Sequence, residues 1–165
     1  MANWCSNIVT FSGDNVDKVD ELFTKLMEEQ ADKGLGMRPD WEACEKYGAL
    51  YMFYIDKRDT GDYQFETRWN PAINTIFLIG RRLKIAFEMT WDESGMGLYG
   101  KIAFDPSMPD VAMISDASGI NFRFDDDKGM YIYNGEEYES EYDFIDNFVD
   151  TMTASPVSKD KILSL

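Results

Sequence analysis

Histidine is absent from this 165-residue sequence, and its absence excludes several reaction classes. Ser-His-Asp and Cys-His catalysis need an imidazole to move the proton. A His-Glu-x-x-His zinc site and a histidine-based pH switch need one as well. A catalytic role for this chain would therefore have to use carboxylates or other side chains.

Cysteine is scarce, with only Cys5 and Cys44 in the chain. Two cysteines in a chain of this length are not a disulfide framework, and the lack of a Cys-x-x-Cys pair argues against a zinc site. Cys5 falls in a predicted strand, where a free cysteine usually packs as a small buried hydrophobic side chain. We expect neither a metal site nor a cofactor, and we assign no catalytic residue.

Long hydrophobic runs are also missing. The longest apolar run, Ile76 to Ile79, is far short of the about 20 residues that a membrane span requires. The first ten residues lack the positive segment and apolar core of a signal peptide. These features predict a soluble, cytoplasmic protein that does not contact a membrane.

Basic side chains are few: 16 lysines and arginines face 31 aspartates and glutamates, giving a formal net charge of −15. A protein that binds nucleic acid or anionic lipid directly needs a positive surface, so this balance argues against both partners. Hydrophobic residues make up 44% and aromatic residues 15% of the chain, which suffices for a folded core. The sequence therefore predicts an acidic globular protein.

The first 104 residues carry the periodicities of alternating strands and helices. The predicted order is strand, helix, strand, strand, helix, strand, which is the split β-α-β arrangement of ferredoxin-like folds. We therefore predict an α+β fold, with an antiparallel sheet and two helices on one of its faces. The predicted elements are a strand at 3–11, a helix from Asp14 to Gly34, a short helix at 41–47, strands at 51–56 and 63–69, a helix starting at Asn70-Pro71, and strands at 84–91 and 97–104.

The composition changes at Asp105, where Pro106 and Pro109 mark a break. Two short strands are predicted at 120–124 and 130–133, followed by a helix that begins at Ser140 and a frayed tail after Thr153. We therefore divide the chain into a ferredoxin-like domain at 1–104 and an acidic extension at 105–165. The extension is expected to pack on the domain as one compact unit.

Three motifs in the first part resemble one known family. They are Asn3-Trp4-Cys5-Ser6-Asn7 running into Ile8–Gly13, Trp91–Gly100 with its Glu-x-Gly hairpin, and Trp69-Asn70-Pro71 before the second predicted helix. Together they resemble the YubB-like ferredoxin-like-domain family of plasmids and phages over residues 1–104. The resemblance implies a ferredoxin-like sheet and an origin in a mobile genetic element, and it brings no established biochemical activity.

The negative charge is concentrated in one stretch. Residues 105–150 hold 13 acidic and 2 basic side chains, a net charge of −11, whereas residues 1–104 have a net charge of −5. Such a stretch can be a solvated surface that aids solubility, or it can bind a basic protein surface. The candidate partner-binding residues are Asp125, Asp126, Asp127, Glu136, Glu137, Glu139, Glu141, Asp143, Asp146 and Asp150.

A second group of carboxylates offers an alternative site. Glu88, Asp92 and Glu93 lie beside Trp69 and Trp91 in the predicted hairpins, and paired carboxylates can divide acid and base roles when their environments differ. This reading requires the five side chains to converge in one concave site. A surface charge on a strand and a turn at Asp92-Glu93 are the simpler interpretation.

The leading hypothesis is a non-enzymatic accessory protein of a phage or plasmid that acts by protein–protein binding. In its sharpest form, the acidic surface imitates nucleic acid and inhibits a nucleic-acid-binding or defence protein of the host. The alternative is a small-molecule-binding or enzymatic domain that uses Glu88, Asp92 and Glu93. The sequence leaves the partner's identity and the oligomeric state open.

Overall fold

The computed structural model of the chain describes residues 3–93, 95–118, 123–140, 143–144, 147–148 and 152–165. Within these residues there are ten strands and four helices. Their bounds are β1 Trp4–Ser12, α1 Val16–Lys33, α2 Glu42–Lys46, β2 Phe53–Asp59, β3 Asp62–Arg68, α3 Ile73–Leu83, β4 Ala86–Glu93, β5 Leu98–Phe104, β6 Val111–Asp116, β7 Arg123–Asp125, β8 Met130–Tyr133, β9 Glu136–Tyr138, β10 Ser155–Ser158 and α4 Lys159–Ile162.

The main sheet has seven strands in the order β10-β6-β5-β4-β1-β3-β2, and every pairing in it is antiparallel. Its β4-β1-β3-β2 part, with α1 and α3 as the connections, is the split β-α-β arrangement. The predicted α+β, ferredoxin-like fold is thereby confirmed. A second sheet of three short strands has the order β7-β8-β9.

One face of the main sheet forms the core with α1 and α3. Successive strand residues point to opposite faces, and Cys5, Val9 and Phe11 of β1 are buried while their neighbours are not. Phe23 of α1 stacks on Tyr63 of β3 with ring centroids 4.0 Å apart. The opposite face, here named the open face, carries the alternate residues of each strand.

The ends of α1 follow local sequence signals. The helix ends at Gly34, whose φ of 64° is left-handed, so the predicted stop is confirmed. The helix begins after Asn15 rather than after the predicted Asp14. Asn15 donates a side-chain hydrogen bond to the Leu83 carbonyl (2.9 Å), which ties the start of α1 to the end of α3.

The start of α3 differs from the prediction. Asn70-Pro71 was expected to open the helix, but α3 begins at Ile73 with Ala72 at the N-cap. The reason is the buried side chain of Asn7 on β1, whose Oδ1 accepts a hydrogen bond from the Ala72 amide (3.0 Å). Asn7 Nδ2 in turn donates to Thr67 Oγ1 (3.0 Å), so one amide group joins β1, β3 and the entry to α3.

The C-terminal tail is ordered, so the expectation of fraying after Thr153 was wrong. β10 pairs with β6, and Ile162 and Leu163 are buried in the main core. β6, β9, β10 and α4 were not predicted: β9 and α4 are only three and four residues long, and β6 and β10 pair with each other over about 40 residues of sequence. Pro156 lies in β10, an edge strand, where the missing amide discourages pairing with another chain.

A carboxylate on α1 fastens the β2–β3 hairpin to the helix. Asp20 accepts hydrogen bonds from Lys57 Nζ (2.7 Å), the Gly61 amide (3.0 Å) and Tyr63 Oη (2.5 Å). Burial alone would raise the pKa of the Asp20 carboxyl, but the hydrogen bonds from Lys57, Tyr63 and Gly61 outweigh it, so the pKa lies below its usual range. The ionised form of Asp20 therefore stabilises the fold.

Asp20→Asn is expected to lower the free energy of unfolding by about 1–3 kcal/mol, because it weakens three hydrogen bonds to a charged group. Since the folded-state pKa is depressed, the stabilisation by Asp20 is complete above the unfolded-state pKa and is lost as the pH falls through the folded-state pKa. Urea unfolding between pH 7 and pH 3 would measure both effects. Glu28→Gln, an exposed carboxylate on the same helix, is the control, and an equal loss in both variants would contradict the assignment.

Candidate protein-binding surface

The acidic candidates lie around the small sheet of β7, β8 and β9. Its register pairs Phe124 with Tyr131 and Tyr131 with Tyr138, so these aromatic side chains share one face. The other face carries Arg123, Asp125, Met130, Ile132 and Glu137. The small sheet therefore gathers its aromatic rings on one face and carries Arg123, Asp125 and Glu137 on the other.

The aromatic face packs against Phe144 and Phe148. The ring centroid of Tyr133 lies 5.1 Å from that of Phe144 and 5.3 Å from that of Phe148, and the ring centroids of Tyr138 and Phe144 are also 5.1 Å apart. Phe144 is only 1% exposed. The amide of Asp143 donates to Ser140 Oγ (3.0 Å), as expected for a helix that begins at Ser140.

This small unit is anchored on the open face of the main sheet. Tyr99 and Ala117 are buried in one cluster with Phe144, and Tyr133, Tyr138, Phe148 and Met152 pack around them. The register places Tyr99 opposite Asp92, on the face away from α1 and α3. We call β7–β9 with Ser140, Asp143, Phe144, Asn147 and Phe148 the C-terminal unit.

The acidic side chains of the C-terminal unit face solvent. Asp125 accepts hydrogen bonds from the amides of Asp127 (3.1 Å) and Lys128 (3.3 Å), which shapes the β7–β8 turn. Asp125 is half-buried and the other described candidates are exposed: Asp126, Asp127, Glu136, Glu137, Glu139 and Asp143. Glu141, Asp146 and Asp150 lie outside the described residues.

Both basic residues of the acidic stretch are held in ion pairs. Arg123 lies 3.5 Å from Asp125 Oδ2, and the Lys128 ammonium forms an ion pair with Glu137. The hydrogen bond to Glu137 raises the pKa of Lys128. Since Asp125 and Glu137 are partly neutralised in this way, the surplus charge resides in the other carboxylates.

The chain topology divides these carboxylates between two ends of the small sheet. Asp126 and Asp127 sit in the turn before β8, and Glu139 follows β9, whose direction is opposite to that of β8. Asp127, Glu139 and Asp143 therefore lie towards one end. Glu136 lies at the other end, at the start of β9. Its Oε2 accepts a hydrogen bond from Tyr138 Oη (2.9 Å).

The alternative carboxylate group does not converge. Trp91 and Glu93 are buried on the helix face of β4, whereas Glu88 and Asp92 belong to the open face. Glu88 forms an ion pair with Lys101 (3.1 Å), and Glu93 Oε2 accepts the Met96 amide (2.6 Å). Asp92 and Glu93 lie in β4, so the expected turn at this pair was wrong.

Other groups with potential for chemistry are the Trp69 ring and the Cys5 thiol. Trp69 is 46% exposed and follows β3, whereas Glu88, Trp91, Asp92 and Glu93 lie on β4. Burial raises the pKa of the Cys5 thiol to about 12, which makes it a poor nucleophile at neutral pH. The described part of the chain contains no group of three or more Cys, Asp or Glu arranged for a metal ion.

Comparison with known proteins assigns the chain to a family. The family model of the ferredoxin-like domain in Api92-like proteins matches residues 50–154. The chain belongs to this family. The match to the Api92-like domain includes strands β2 to β6 of the main sheet, α3 and the C-terminal unit. No curated protein and no solved structure matches the chain.

The Api92-like match and the resemblance to YubB-like proteins overlap at residues 50–104 and differ on either side of that range. The match begins at residue 50 and crosses Asp105, whereas the motifs that resemble YubB-like proteins lie within residues 1–104. No described helix of this Api92-like chain is both long and apolar enough to cross a membrane.

The packing predicts that the C-terminal unit depends on Phe144. Phe144→Ala should abolish amide hydrogen-exchange protection in β8 and β9 while leaving β1 and β4 protected, because a large-to-small change in a core costs about 3–5 kcal/mol. Mass-resolved hydrogen exchange would measure this. Phe124→Ala, at a ring that is 48% exposed, is the matched control and should have a smaller effect. Uniform loss of protection in the Phe144 variant would contradict a separately anchored unit.

Proposed function

We propose that this Api92-like chain is a non-enzymatic accessory protein of a phage or plasmid, and that its C-terminal unit binds a basic protein surface. The observation that carries the proposal is the orientation of the small sheet. Tyr133 and Tyr138 pack against Phe144 and Phe148, and the carboxylates of Asp126, Asp127, Glu136, Glu137 and Glu139 are exposed to solvent. The aromatic packing thus supports a negative surface on which the ion pairs of Arg123 and Lys128 offset only part of the charge.

Imitation of nucleic acid is the form of this function that the charge pattern favours. A groove that binds nucleic acid is lined with lysine and arginine, which neutralise a row of phosphates. Exposed carboxylates such as Asp126, Asp127 and Glu139 can occupy such a groove in place of phosphates. The proposed role is inhibition of a host nucleic-acid-binding or defence protein, without contact between this chain and nucleic acid.

The proposed origin in a mobile element rests on the motifs of the first strand and the β4–β5 hairpin. Asn3–Asn7 and Trp91–Gly100 resemble YubB-like proteins of plasmids and phages. A small acidic protein that blocks a host nucleic-acid-binding protein suits such an element.

The carboxylate site is the weaker candidate because the sheet separates its members. Side chains on opposite faces of one strand cannot act on one substrate atom, and Glu88 and Glu93 are such a pair. Their contacts with Lys101 and the Met96 amide already give both of them structural roles.

Neutralising the exposed carboxylates should weaken the proposed complex. Asp126→Asn/Asp127→Asn/Glu139→Gln is expected to reduce capture of host proteins about tenfold or more at low salt, since each charge contributes to steering and to contact. The measurement is affinity capture from host extract at two salt concentrations, with release by added DNA scored for each captured protein.

The matched control removes the same charge from another surface. Asp17→Asn/Glu21→Gln/Glu28→Gln alters three exposed carboxylates of α1 and should leave capture unchanged. Equal capture by the wild-type protein and both triple variants, or capture that is insensitive to salt, would refute an electrostatic interface. Solubility would then remain as the role of the charge.

A further inference from the structure

A cluster of aromatic side chains, with Trp4 and Tyr54 exposed and Phe53 half-buried, lies at the edge of the open face farthest from β10. Trp4 of β1 contacts Phe53 and Tyr54 of β2, with ring centroids 5.2 Å and 5.7 Å apart. The Arg68 guanidinium of β3 lies over the rings of Phe53 (5.0 Å) and Trp4 (5.6 Å). We name these four residues the aromatic corner.

The backbone at the aromatic corner is strained in a way that exposes a ring. Phe53 pairs with Glu66 and Asp56 with Gln64, so β2 has one extra residue between them, which is a β-bulge. Tyr54 occupies the bulge with a φ of 52° and is 69% exposed. A bulky residue at positive φ costs free energy, and the core gains nothing from a ring left in solvent.

Trp69, directly after β3, also combines a left-handed backbone with an exposed ring. Its φ is 70° and it is 46% exposed. Its amide donates to the Asn3 carbonyl (3.0 Å), which places its backbone beside the start of β1. Tryptophan, tyrosine and arginine are the residue types most enriched at the energetic centres of protein interfaces.

The aromatic corner and the C-terminal unit stand on the same face of the sheet. The register forms one row across five strands: Phe53, Glu66, Ser6, Asp92 and Tyr99. At a strand spacing of about 4.8 Å, Phe53 lies about 19 Å from Tyr99, where the C-terminal unit is anchored. A single partner surface can therefore reach both.

The charges around the aromatic corner favour the binding of a basic segment of a partner protein. Glu66 and Asp92 lie in the row between the two sites, and Asp56 is exposed on the same face next to the bulge. Arg68 already stacks on Trp4 and Phe53, which shows that ring faces at this corner accept a guanidinium. The three carboxylates Glu66, Asp56 and Asp92 outnumber Arg68 on this part of the open face.

We propose that the aromatic corner docks an arginine-bearing segment of the same basic partner that binds the C-terminal unit. Guanidinium groups of the partner would stack on the exposed faces of Tyr54 and Trp4, and Glu66 and Asp56 would supply the opposite charge. This inference rests on the proposed function. It adds a second contact area to the proposed interface. It also predicts that the partner's binding segment carries arginine next to apolar side chains, and not positive charge alone.

A short labelled peptide of alternating arginine and leucine is the probe, with a peptide of equal length that alternates lysine and glutamine as its comparison. Tyr54→Gly and Trp4→Thr are each expected to weaken binding of the arginine–leucine peptide about three- to tenfold, and to affect the lysine–glutamine peptide much less. Tyr54→Gly also relieves the left-handed backbone, so stability measured in parallel should not fall. Met108→Ala, at an exposed side chain outside the corner, is the control.

The possible outcomes separate this inference from the proposed function. Wild-type binding of the arginine–leucine peptide by Tyr54→Gly and Trp4→Thr would overturn the inference, as would an equal loss in Met108→Ala or failure of the wild-type protein to bind that peptide. If Asp126→Asn/Asp127→Asn/Glu139→Gln still weakens capture of host proteins, the proposed function stands without the corner. If that triple variant and the corner variants all behave as wild type, both fail.

Discussion

The alternation of side chains along the β-strands is the constraint on which the surface chemistry depends. Because α1 and α3 fill one face of the main sheet, every second strand residue is committed to the core, as Val9 and Phe11 are. The intervening residues are left for the open face. This division separates Glu93 from Glu88 and Asp92, and it aligns Asp92 with Ser6 and Glu66. A site on this protein must therefore be built from residues two apart, or from register partners.

The C-terminal unit shows how a strongly acidic segment is held in a fold. Its carboxylates repel one another, and a segment with such a charge would not collapse by itself. Tyr133, Tyr138, Phe144 and Phe148 form a small aromatic core, and Tyr99 connects it to the main sheet. The aromatic rings supply the burial that offsets the repulsion. The surplus charge is therefore tolerated at a place where an aromatic core holds the segment on the main sheet.

Local signals predicted the parts of the fold that local interactions decide. Periodicity located β1 and α1, and Gly34 predicted the helix end because a left-handed residue favours glycine. The start of α3 could not be predicted, since the Ala72 amide is bound by Asn7, 65 residues earlier. β6 and β10 escaped detection for the same reason. Charge counting found the acidic candidates, but the ion pairs that Arg123 and Lys128 form with Asp125 and Glu137 depend on side-chain positions that the structure alone shows.

A residue in a backbone conformation that its type disfavours is most informative where the fold does not require that conformation. Asn134, at positive φ, closes the β8–β9 turn, and Lys84 ends α3 in the left-handed conformation, so the backbone explains both. Tyr54 and Trp69 share that conformation, yet their rings are left in solvent. Natural sequences agree with their folds at most positions, and conflicts concentrate at functional sites. The exposed carboxylates of the C-terminal unit and the strained, exposed rings of Tyr54 and Trp69 are two such conflicts, and a basic partner carrying arginine would resolve both.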